Sequence, residues 1–400
     1  MDLRSGAAFW PIRNGLIATY PAIDRDETAD VVVIGAGVTG ALVTYALTTA
    51  GARVVVIDRR DVASGSTAAT TGLLQYETDA SLTELADRIG EADAVRVWRL
   101  GLAAIDDIER LCAAIGEPSG FARRPSLYLA SSRRDAWSLK REFELRRRHG
   151  FQVQWLATAD IETRYGFRAP GAVYGPGNAE IDCYRFTHAL LAASGRSGAR
   201  VYDRTEAQRV DADDTGVTVT TDRGPTIRAR RMVWAAGYEA VDETQRRFGS
   251  RHSTWALVSE PVADFGSWHD RALIWETARP YLYARATDDG RVMLGGEDEP
   301  FSRRHDNERL RPKKTRRLLK RFARMFPDLR LEVAYEWSGV FTTTADGLPR
   351  VGEVPEHRHA WLALGYGGNG ITFSAIAADL IRDAWLGRTN PDAHLFAFER

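Results

Sequence analysis

The chain has 400 residues, 44% hydrophobic and 27% charged, as in ordinary globular proteins, and its length favours two domains. Its 54 basic and 54 acidic residues give a formal net charge of zero, which argues against nucleic acid or an anionic membrane as a partner. The N-terminal residues lack a secretory signal pattern and no apolar run approaches about 18 residues, so we expect a cytoplasmic protein without membrane spans.

The first regular elements are predicted to form a strand–helix–strand unit. A continuous Val/Ile run predicts a buried strand from Asp30 to Gly35, and small residues predict a helix from about Val38 to Ala50. A second buried strand is predicted from Arg53 to Asp58. Such a sequence within about 30 residues is typical of a right-handed βαβ unit. The preceding residues, 1–29, are rich in turn formers and are predicted to form an irregular arm.

The rest of the chain alternates between helices and short strands. We predict helices at 82–115, 133–149, 184–194, 312–325 and 371–386, and strands at 126–131, 199–202, 207–212, 216–221, 226–230, 232–236, 256–260, 273–276, 281–286 and 292–294. The helix at 312–325 is basic from Arg311 onward but carries an apolar stripe of Leu318, Phe322 and Met325. A helix of this kind usually packs its stripe and solvates its charges, which we favour over contact with a membrane or an acidic partner.

The βαβ unit carries a dinucleotide-binding fingerprint. Gly35, Gly37 and Gly40 stand in G-x-G-x-x-G register directly after the strand and before the helix. The first glycine permits a tight turn, the second lets a diphosphate approach the backbone, and the third permits close helix–strand packing. The helix N-terminus offers N–H groups and a positive dipole end to the phosphates. Asp58, at the end of the second strand, is placed to accept hydrogen bonds from ribose hydroxyls and would repel the 2′-phosphate of NADP.

Motifs in the C-terminal third add a second signal. They are Trp337-Ser338-Gly339, Thr344-Ala345-Asp346-Gly347-Leu348-Pro349, Gly352, and the glycine turn Gly365-Tyr366-Gly367-Gly368-Asn369-Gly370 followed by Ile371 and Thr372. With the fingerprint, the polar loop Ser64–Leu74 and Ala235-Ala236-Gly237, they resemble the D-amino-acid oxidase-like family of flavoproteins over nearly the whole chain. That family includes glycine and sarcosine oxidases, D-amino-acid dehydrogenases and γ-glutamylputrescine oxidase.

The resemblance implies FAD as the cofactor and assigns residues to it. The implied FAD-binding residues are Gly35, Gly37, Gly40, Asp58, Arg59, Ser66, Thr67, Thr71, Gly72, Leu73, Val210, Gly237, Gly339, Gly367, Gly368, Asn369, Gly370 and Ile371. Independently of the family, a second helix N-terminus at Ile371 would stabilise negative charge on a reduced flavin.

The resemblance also implies the fold class and the domain division. The expected fold is α/β, a Rossmann-like FAD-binding domain of the glutathione-reductase/p-hydroxybenzoate-hydroxylase type with an α+β cap. The FAD-binding domain is predicted to be discontinuous, comprising 1–98, 175–245 and 335–400. The substrate domain, built on a mixed sheet, is predicted to comprise 99–174 and 246–334.

Differences from relatives indicate how FAD would be attached and whether a lysine could assist the reduction of oxygen. Relatives that attach FAD covalently do so through a cysteine in the C-terminal block or a histidine in the N-terminal loop, and neither segment has one here, so FAD is expected to be non-covalent. Cys112 and Cys183 have no spacing typical of a disulfide framework or metal site, and no metal is expected. The lysines, Lys140, Lys313, Lys314 and Lys320, all fall in predicted surface helices, which disfavours the lysine-assisted oxygen reduction of some oxidases.

The substrate side is predicted around Tyr281, Tyr283 and Arg285, which alternate onto one face of a strand. Arg285 is the candidate for holding a substrate carboxylate, because a guanidinium matches its two oxygens and glycine-oxidase-like relatives have such an arginine before a similar turn. The alternative is a solvated sheet face on which the arginine packs over the tyrosines. Tyr366 and Gln75 are further candidates, since they flank the loops expected to frame the flavin.

These observations predict an amine or amino-acid oxidoreductase. Hydride would pass from the substrate carbon to flavin N5, giving an imine that hydrolyses, and electrons would leave to oxygen or another carrier. One alternative is a flavin monooxygenase on the same fold, disfavoured because those proteins usually carry Gly-Asp-Ala where this chain has Gly-Asn-Gly-Ile. Another is a subunit of a flavin dehydrogenase complex that docks through the basic helix.

Overall fold

A computed structural model of the chain describes residues 4–238, 249–301, 307–354, 357–364 and 366–400. Gly365, which opens the predicted glycine turn, and the predicted domain boundary at 245/246 lie outside the described residues.

The strands are β1 (Arg4–Gly6), β2 (Glu27–Ile34), β3 (Val54–Ile57), β4 (Leu73–Leu74), β5 (Ala122–Leu129), β6 (Gln154–Leu156), β7 (Ala172–Glu180), β8 (Arg200–Tyr202), β9 (Ala207–Ala212), β10 (Val217–Thr221), β11 (Thr226–Trp234), β12 (Ser250–Ser259), β13 (Leu273–Glu276), β14 (Leu282–Ala286), β15 (Val292–Pro300), β16 (Val333–Thr343), β17 (Arg350–Val354) and β18 (His357–Leu364). The helices are α1 (Phe9–Asn14), α2 (Val38–Thr49), α3 (Ser66–Ala69), α4 (Leu82–Ile89), α5 (Glu91–Ile115), α6 (Arg133–Arg148), α7 (Thr158–Tyr165), α8 (Cys183–Arg196), α9 (Asn307–Met325) and α10 (Gly370–Trp385).

The first sheet contains the predicted βαβ unit at its centre. Its strand order is β17-β18-β11-β2-β3-β8, with β10 paired to β11 and β9 to β10. Strands β18, β11, β2, β3 and β8 are parallel to their neighbours in this series. The middle strands are buried on both faces, which explains the uninterrupted Val31–Val33 and Val54–Ile57 runs.

The second sheet is mostly antiparallel and lies beside the first. Its strand order is β1-β16-β12-β15-β14-β13-β5-β7-β4, and β6 pairs with β7. Among the described strands of this sheet, β13 and β5 form the one parallel pair. Helix α9 packs on this sheet through the buried side chains of Leu318 and Phe322, as its apolar stripe predicts. Strands β7 and β16 run across the predicted boundaries at 174/175 and 334/335, and the domain division at those residues remains a prediction.

Several local predictions were wrong for reasons outside the local sequence. The arm 1–29 is not irregular throughout, because β1 pairs with β16, α1 buries Phe9 and Trp10, and β2 begins at Glu27. The strands predicted at 226–230 and 232–236 are one strand, β11, whose parallel register with β2 continues from Ile227 to Trp234. The helix predicted at 82–115 is two helices, because Gly90 has a φ of 90°.

Lys314 was wrongly predicted to lie on a helix surface. Its side chain is 1% exposed, and its Nζ donates to the carbonyl of Glu297 at 2.7 Å. The same Nζ lies 2.6 Å from a carboxylate oxygen of Glu299 and 4.6 Å from the ring centre of Trp255. The buried ammonium is therefore neutralised within the second sheet.

Candidate active site

A cavity of about 640 Å³ is lined by residues of both sheets, and its size is typical of cofactor and ligand pockets. Among the predicted site residues, those that line it are Gly35, Gly37, Asp58, Arg59, Ser66, Thr67, Thr71, Leu73, Gln75, Gly237, Tyr281, Tyr283, Gly339, Tyr366, Gly367, Gly368, Asn369, Gly370 and Ile371. Gly40, Gly72, Val210 and Arg285 do not line it. The two ends of the chain thus meet at one cavity.

The glycine turn after β2 forms one end of the cavity. Gly35 has a φ of 109°, and a Cβ there would lie 2.5 Å from the carbonyl oxygen of Ala235. A Cβ at Gly40 would overlap the carbonyl oxygen of Gly35, so this glycine permits the close helix–strand packing rather than lining the cavity. The Val38 N–H at the start of α2 donates to Thr67 Oγ1 at 3.0 Å, which brings the polar loop across the helix N-terminus.

Asp58 stands beside this turn at the end of β3. Its Oδ2 accepts the Ala36 N–H at 2.7 Å and its Oδ1 accepts the Arg60 N–H at 2.9 Å. These two bonds orient the carboxylate beside the cavity, which Asp58 lines. The cavity wall here also includes Arg4 and Arg59. This end therefore has the positive charge and N–H groups that a dinucleotide diphosphate requires.

Val210, the residue that the resemblance assigns to adenine, does not line the cavity. It pairs with Val219 and packs on the core of the first sheet. Glu206 and Ala207, at the start of β9, line the cavity. The start of β9, not its middle, therefore reaches the cavity.

The polar loop at 64–75 is held in place by two buried indoles. Trp10 Nε1 donates to the Thr70 carbonyl at 2.6 Å, and Trp337 Nε1 donates to the Ala69 carbonyl at 2.8 Å. The first tryptophan comes from the arm and the second from β16, so the loop is fixed by distant segments. Neither contact was predicted, because a tryptophan in sequence does not indicate its partner.

The C-terminal turn closes the opposite wall. Asn369 Nδ2 donates to the carbonyls of Gln75, at 3.2 Å, and Glu77, at 2.8 Å. The Gly368 N–H donates to Asp79 at 2.7 Å, and the Tyr238 hydroxyl donates to the Gly367 carbonyl at 2.6 Å. Helix α10 begins at Gly370, so its positive end faces the cavity where the turn meets the loop.

Arg285 is buried outside the cavity and does not lie where it could bind a substrate carboxylate in this cavity. It is 2% exposed; its Nη1 donates to the carbonyls of Thr71, Gly72 and Ile181 at 2.9–3.2 Å, and its Nε lies 3.5 Å from Glu180. Alternation along β14 correctly puts it on the face of Tyr283, but its head group passes beneath the polar loop. The sequence suggested either an arginine that binds the substrate carboxylate or an arginine that packs over the tyrosines on a solvated sheet face. Arg285 occupies neither position.

Replacing Arg285 by methionine is therefore expected to affect the loop rather than substrate affinity. The change removes a buried charge beside Glu180, which keeps Arg124 as its partner, and removes a donor from the carbonyls of Thr71, Gly72 and Ile181; we expect a loss of about 3–5 kcal/mol of stability. We expect a lower Tm and poorer retention of FAD, with an unchanged KM in the protein that remains loaded. Arg209→Met, on the exposed meander, is the matched control. A raised KM with normal Tm and normal FAD content would instead restore Arg285 to the substrate site.

The far end of the cavity contains titratable side chains that the sequence did not single out. Asp79, His252 and Asp298 line it together with Tyr281 and Tyr283. His252 bonds Thr343 Oγ1 at 3.0 Å and stacks on Phe341. A Cβ at Gly295 would overlap the Tyr283 ring, so this glycine makes room for that side chain. Only the non-local pairing of β14, β12 and β15 brings these residues together.

Burial changes the pKa values at this end. It raises the pKa of Asp298 to about 6, opposed by hydrogen bonds from Thr254 and Tyr281 and reinforced by the charge of Asp79. Burial also raises the pKa of Asp79, although the Gly368 N–H opposes the shift, and it lowers the pKa of His252. Two carboxyl groups and an imidazole, whose charged forms are all disfavoured by burial, thus line the same space.

The raised pKa of Asp298 predicts the pH dependence of an Asp298→Asn variant. Above pH 6 the Asp298 carboxyl group is ionised in both states, and its buried charge destabilises the folded protein relative to the unfolded chain, where water solvates it. Below the ordinary pKa of 3.8 the carboxyl group is protonated in both states, so this cost is absent. Relative to wild type, the variant's Tm is expected to rise between pH 4 and pH 7. Thermal unfolding at several pH values measures this, with Asp264→Asn at an exposed loop as control. A Tm difference that falls over this range would contradict the prediction.

Comparisons with known proteins agree with this geometry. A family model described as DAO, FAD dependent oxidoreductase, matches residues 30–384. Glycine oxidase of Geobacillus kaustophilus is 29% identical over 368 residues, which cover 88% of this chain and 92% of the relative. D-amino acid dehydrogenase of Paramagnetospirillum magneticum is 26% identical over an alignment of 409 positions, gaps included, which covers 90% of this chain and 95% of the relative.

Solved structures have the same fold. The crystal structure of glycine oxidase from Geobacillus kaustophilus superposes with a TM-score of 0.77 at 25% identity, covering 94% of this chain and 99% of that chain. L-proline dehydrogenase from P. horikoshii gives a TM-score of 0.76 at 18% identity, which bears on the fold alone. In the described parts of this chain, no helix is both long enough and apolar enough to cross a bilayer.

Proposed function

We propose that this chain, which belongs to the DAO family of FAD-dependent oxidoreductases, oxidises the C–N bond of an amine or amino acid. The substrate carbon would lose a hydride and its nitrogen a proton, and the resulting imine would react with water to give a carbonyl compound and the released amine or ammonia. The observation that carries the proposal is that one continuous cavity has the glycine turn and Asp58 at one end and an aromatic compartment at the other. Relatives named glycine oxidase and D-amino acid dehydrogenase support it.

The residues of the cavity fit FAD. Gly35 and Gly37 bring backbone to the cavity wall where a side chain would meet Ala235 or Thr67, and the oriented Asp58 carboxylate suits the ribose. Thr67 and the start of α2 would hold the diphosphate, while Gly368, Asn369 and the start of α10 would hold the opposite end of the cofactor. When bound, FAD supplies the two-electron acceptor for the hydride. The residue assignments and the non-covalent attachment remain proposals.

The chain's own contribution would be alignment and exclusion of water. Flavin-dependent amine oxidation needs the substrate C–H directed at the acceptor, and such positioning provides much of the rate. Tyr281 and Tyr283, whose ring centres are 5.9 Å apart, would form one wall of the substrate compartment, and Phe341 would form another. The positive end of α10 would stabilise the negative charge that develops during reduction.

Anaerobic reduction tests this function directly. The purified protein should show a flavin spectrum that bleaches when primary or secondary amines or amino acids are added without oxygen. Reduced nicotinamide is the comparison, because bleaching by it alone would favour the monooxygenase alternative. A protein that cannot be loaded with FAD, or a loaded protein that no amine or amino acid reduces, would refute the proposal.

A further inference from the structure

The two ends of the cavity differ in their charged side chains. The cradle end is lined by Arg4, Arg59 and Arg60 together with Asp58 and Glu206, and it receives the positive end of α2. The other end is lined by Asp79 and Asp298, with His252 and Arg279. The arginines and the helix end suit the diphosphate of the cofactor. The two acids adjoin the C-terminal turn, so they bear on whatever enters beside the cofactor.

Asp298 lines the compartment and has one buried carboxylate oxygen. Thr254 and Tyr281 bond the carboxyl group, yet Oδ1 is inaccessible to solvent and has no hydrogen-bond partner within the described residues. Asp79 lies close enough for its charge to act on Asp298, His252 and Tyr281. An unpaired buried carboxylate is costly, and an incoming cation would remove that cost.

Aromatic rings surround the two carboxylates. Tyr281 and Tyr283 line the compartment, Trp275 stacks on Tyr128 with ring centres 3.6 Å apart, and Phe341 contributes a further ring. Ring faces attract cations, most strongly where water is excluded.

One arginine faces these carboxyl groups from an exposed position. The Arg279 side chain lines the cavity with its guanidinium 5.2 Å from the Tyr281 ring centre, and its charge opposes the rise in the pKa of Asp79 and Asp298. Arg285, the predicted carboxylate ligand, bonds backbone carbonyls outside the cavity. Among the described residues that line this end, the charged groups desolvated by burial therefore include two acids, whereas the arginine is exposed.

From this arrangement, and resting on the amine oxidation proposed above, we infer that the substrate is an organic dication. Its non-reacting end carries a second positive charge, which Asp79 and Asp298 hold between the rings of Tyr281 and Tyr283. The reacting nitrogen has lost its proton and carries no charge when the hydride leaves the neighbouring carbon. Diamines and guanidino-amines have this chemistry, whereas a small amino acid would place a carboxylate against the two aspartates.

A binding experiment tests the compartment without turnover. Tetramethylammonium and acetate are titrated into the FAD-loaded protein while the flavin spectrum is followed. We expect tetramethylammonium, but not acetate, to perturb the spectrum saturably. Asp298→Asn should weaken this binding by about tenfold or more, since it removes a buried charge partner, while Asp264→Asn should leave it unchanged. Equal or tighter binding of acetate would overturn the inference, as would unchanged cation binding in Asp298→Asn.

Substrate preference separates this inference from the proposed function. 1,4-Diaminobutane, butylamine and 4-aminobutanoate share a chain length and differ in the charge of the far end. We expect the diamine to reduce the flavin at the lowest concentration, and Asp79→Asn to raise that concentration for the diamine more than for butylamine. Faster reduction by 4-aminobutanoate would overturn the inference and leave amine oxidation intact. Saturable cation binding with no reduction by any amine would support the compartment and refute the function.

Discussion

Replacing Gly40 by alanine is expected to yield a protein that does not retain FAD. The new Cβ would overlap the Gly35 carbonyl oxygen and lie 3.5 Å from Val33 Cγ1, so the helix must move away from the strand. That movement displaces the turn and the N-terminus of α2, which are the proposed diphosphate site. The substitution therefore acts on the cofactor through packing, without removing any polar group.

The ratio of flavin absorbance to protein absorbance after desalting measures this loss, and thermal unfolding measures the accompanying drop in Tm. Gly195→Ala is the matched control, because Gly195 lies within helix α8 with no heavy atom within 4 Å of a built Cβ. The control should retain FAD and gain about 0.5–1 kcal/mol of stability. A Gly40→Ala protein with full flavin content would show that the tight packing is not needed for binding.

Replacing Arg146 by methionine is expected to cost about 3–5 kcal/mol of folding free energy, since it leaves buried carboxylates without their countercharge. Arg146 Nε donates to Glu142 at 2.8 Å, and its guanidinium lies 4.5 Å from the Trp98 ring centre. Glu142 in turn accepts the Leu82 and Thr83 N–H groups at the start of α4. The arginine also approaches Glu77, which lines the cavity.

The pH dependence of this loss has a defined sign. Burial raises the pKa of Glu77. Burial would also raise the pKa of Glu142, but the charge of Arg146 and the hydrogen bonds from Thr83 outweigh it and hold that pKa below its ordinary value. Without the arginine both pKa values should rise, so protonation at acid pH should offset part of the cost. The deficit should therefore be large at pH 8 and shrink as the pH falls.

Denaturant unfolding of the FAD-loaded protein at pH 8 and pH 5 provides the measurement. Arg147→Met is the matched control, because Arg147 is the exposed neighbour on the same helix, and it should cost less than about 1 kcal/mol. Equal deficits for the two variants, or an Arg146→Met deficit that grows at acid pH, would contradict the proposed buried network.

Much of the cofactor end could be predicted from the sequence because it depends on short spacings. Three glycines between a strand and a helix, and an acid at the end of the next strand, define a local backbone geometry wherever they occur. The C-terminal glycine turn is similarly local, since a helix start positions its own N–H groups. The family, FAD and most cavity-lining glycines were therefore predicted correctly.

The substrate end was decided by tertiary structure. Period-two alternation placed Arg285 on the face of Tyr283, but the carbonyls that hold its head group come from Thr71, Gly72 and Ile181, far away in the chain. Asp79 and Asp298 are ordinary acids in sequence, and only the pairing of distant strands and the C-terminal turn makes them neighbours. Local sequence thus determined the backbone that receives the cofactor, whereas long-range packing determined the charge that faces the substrate.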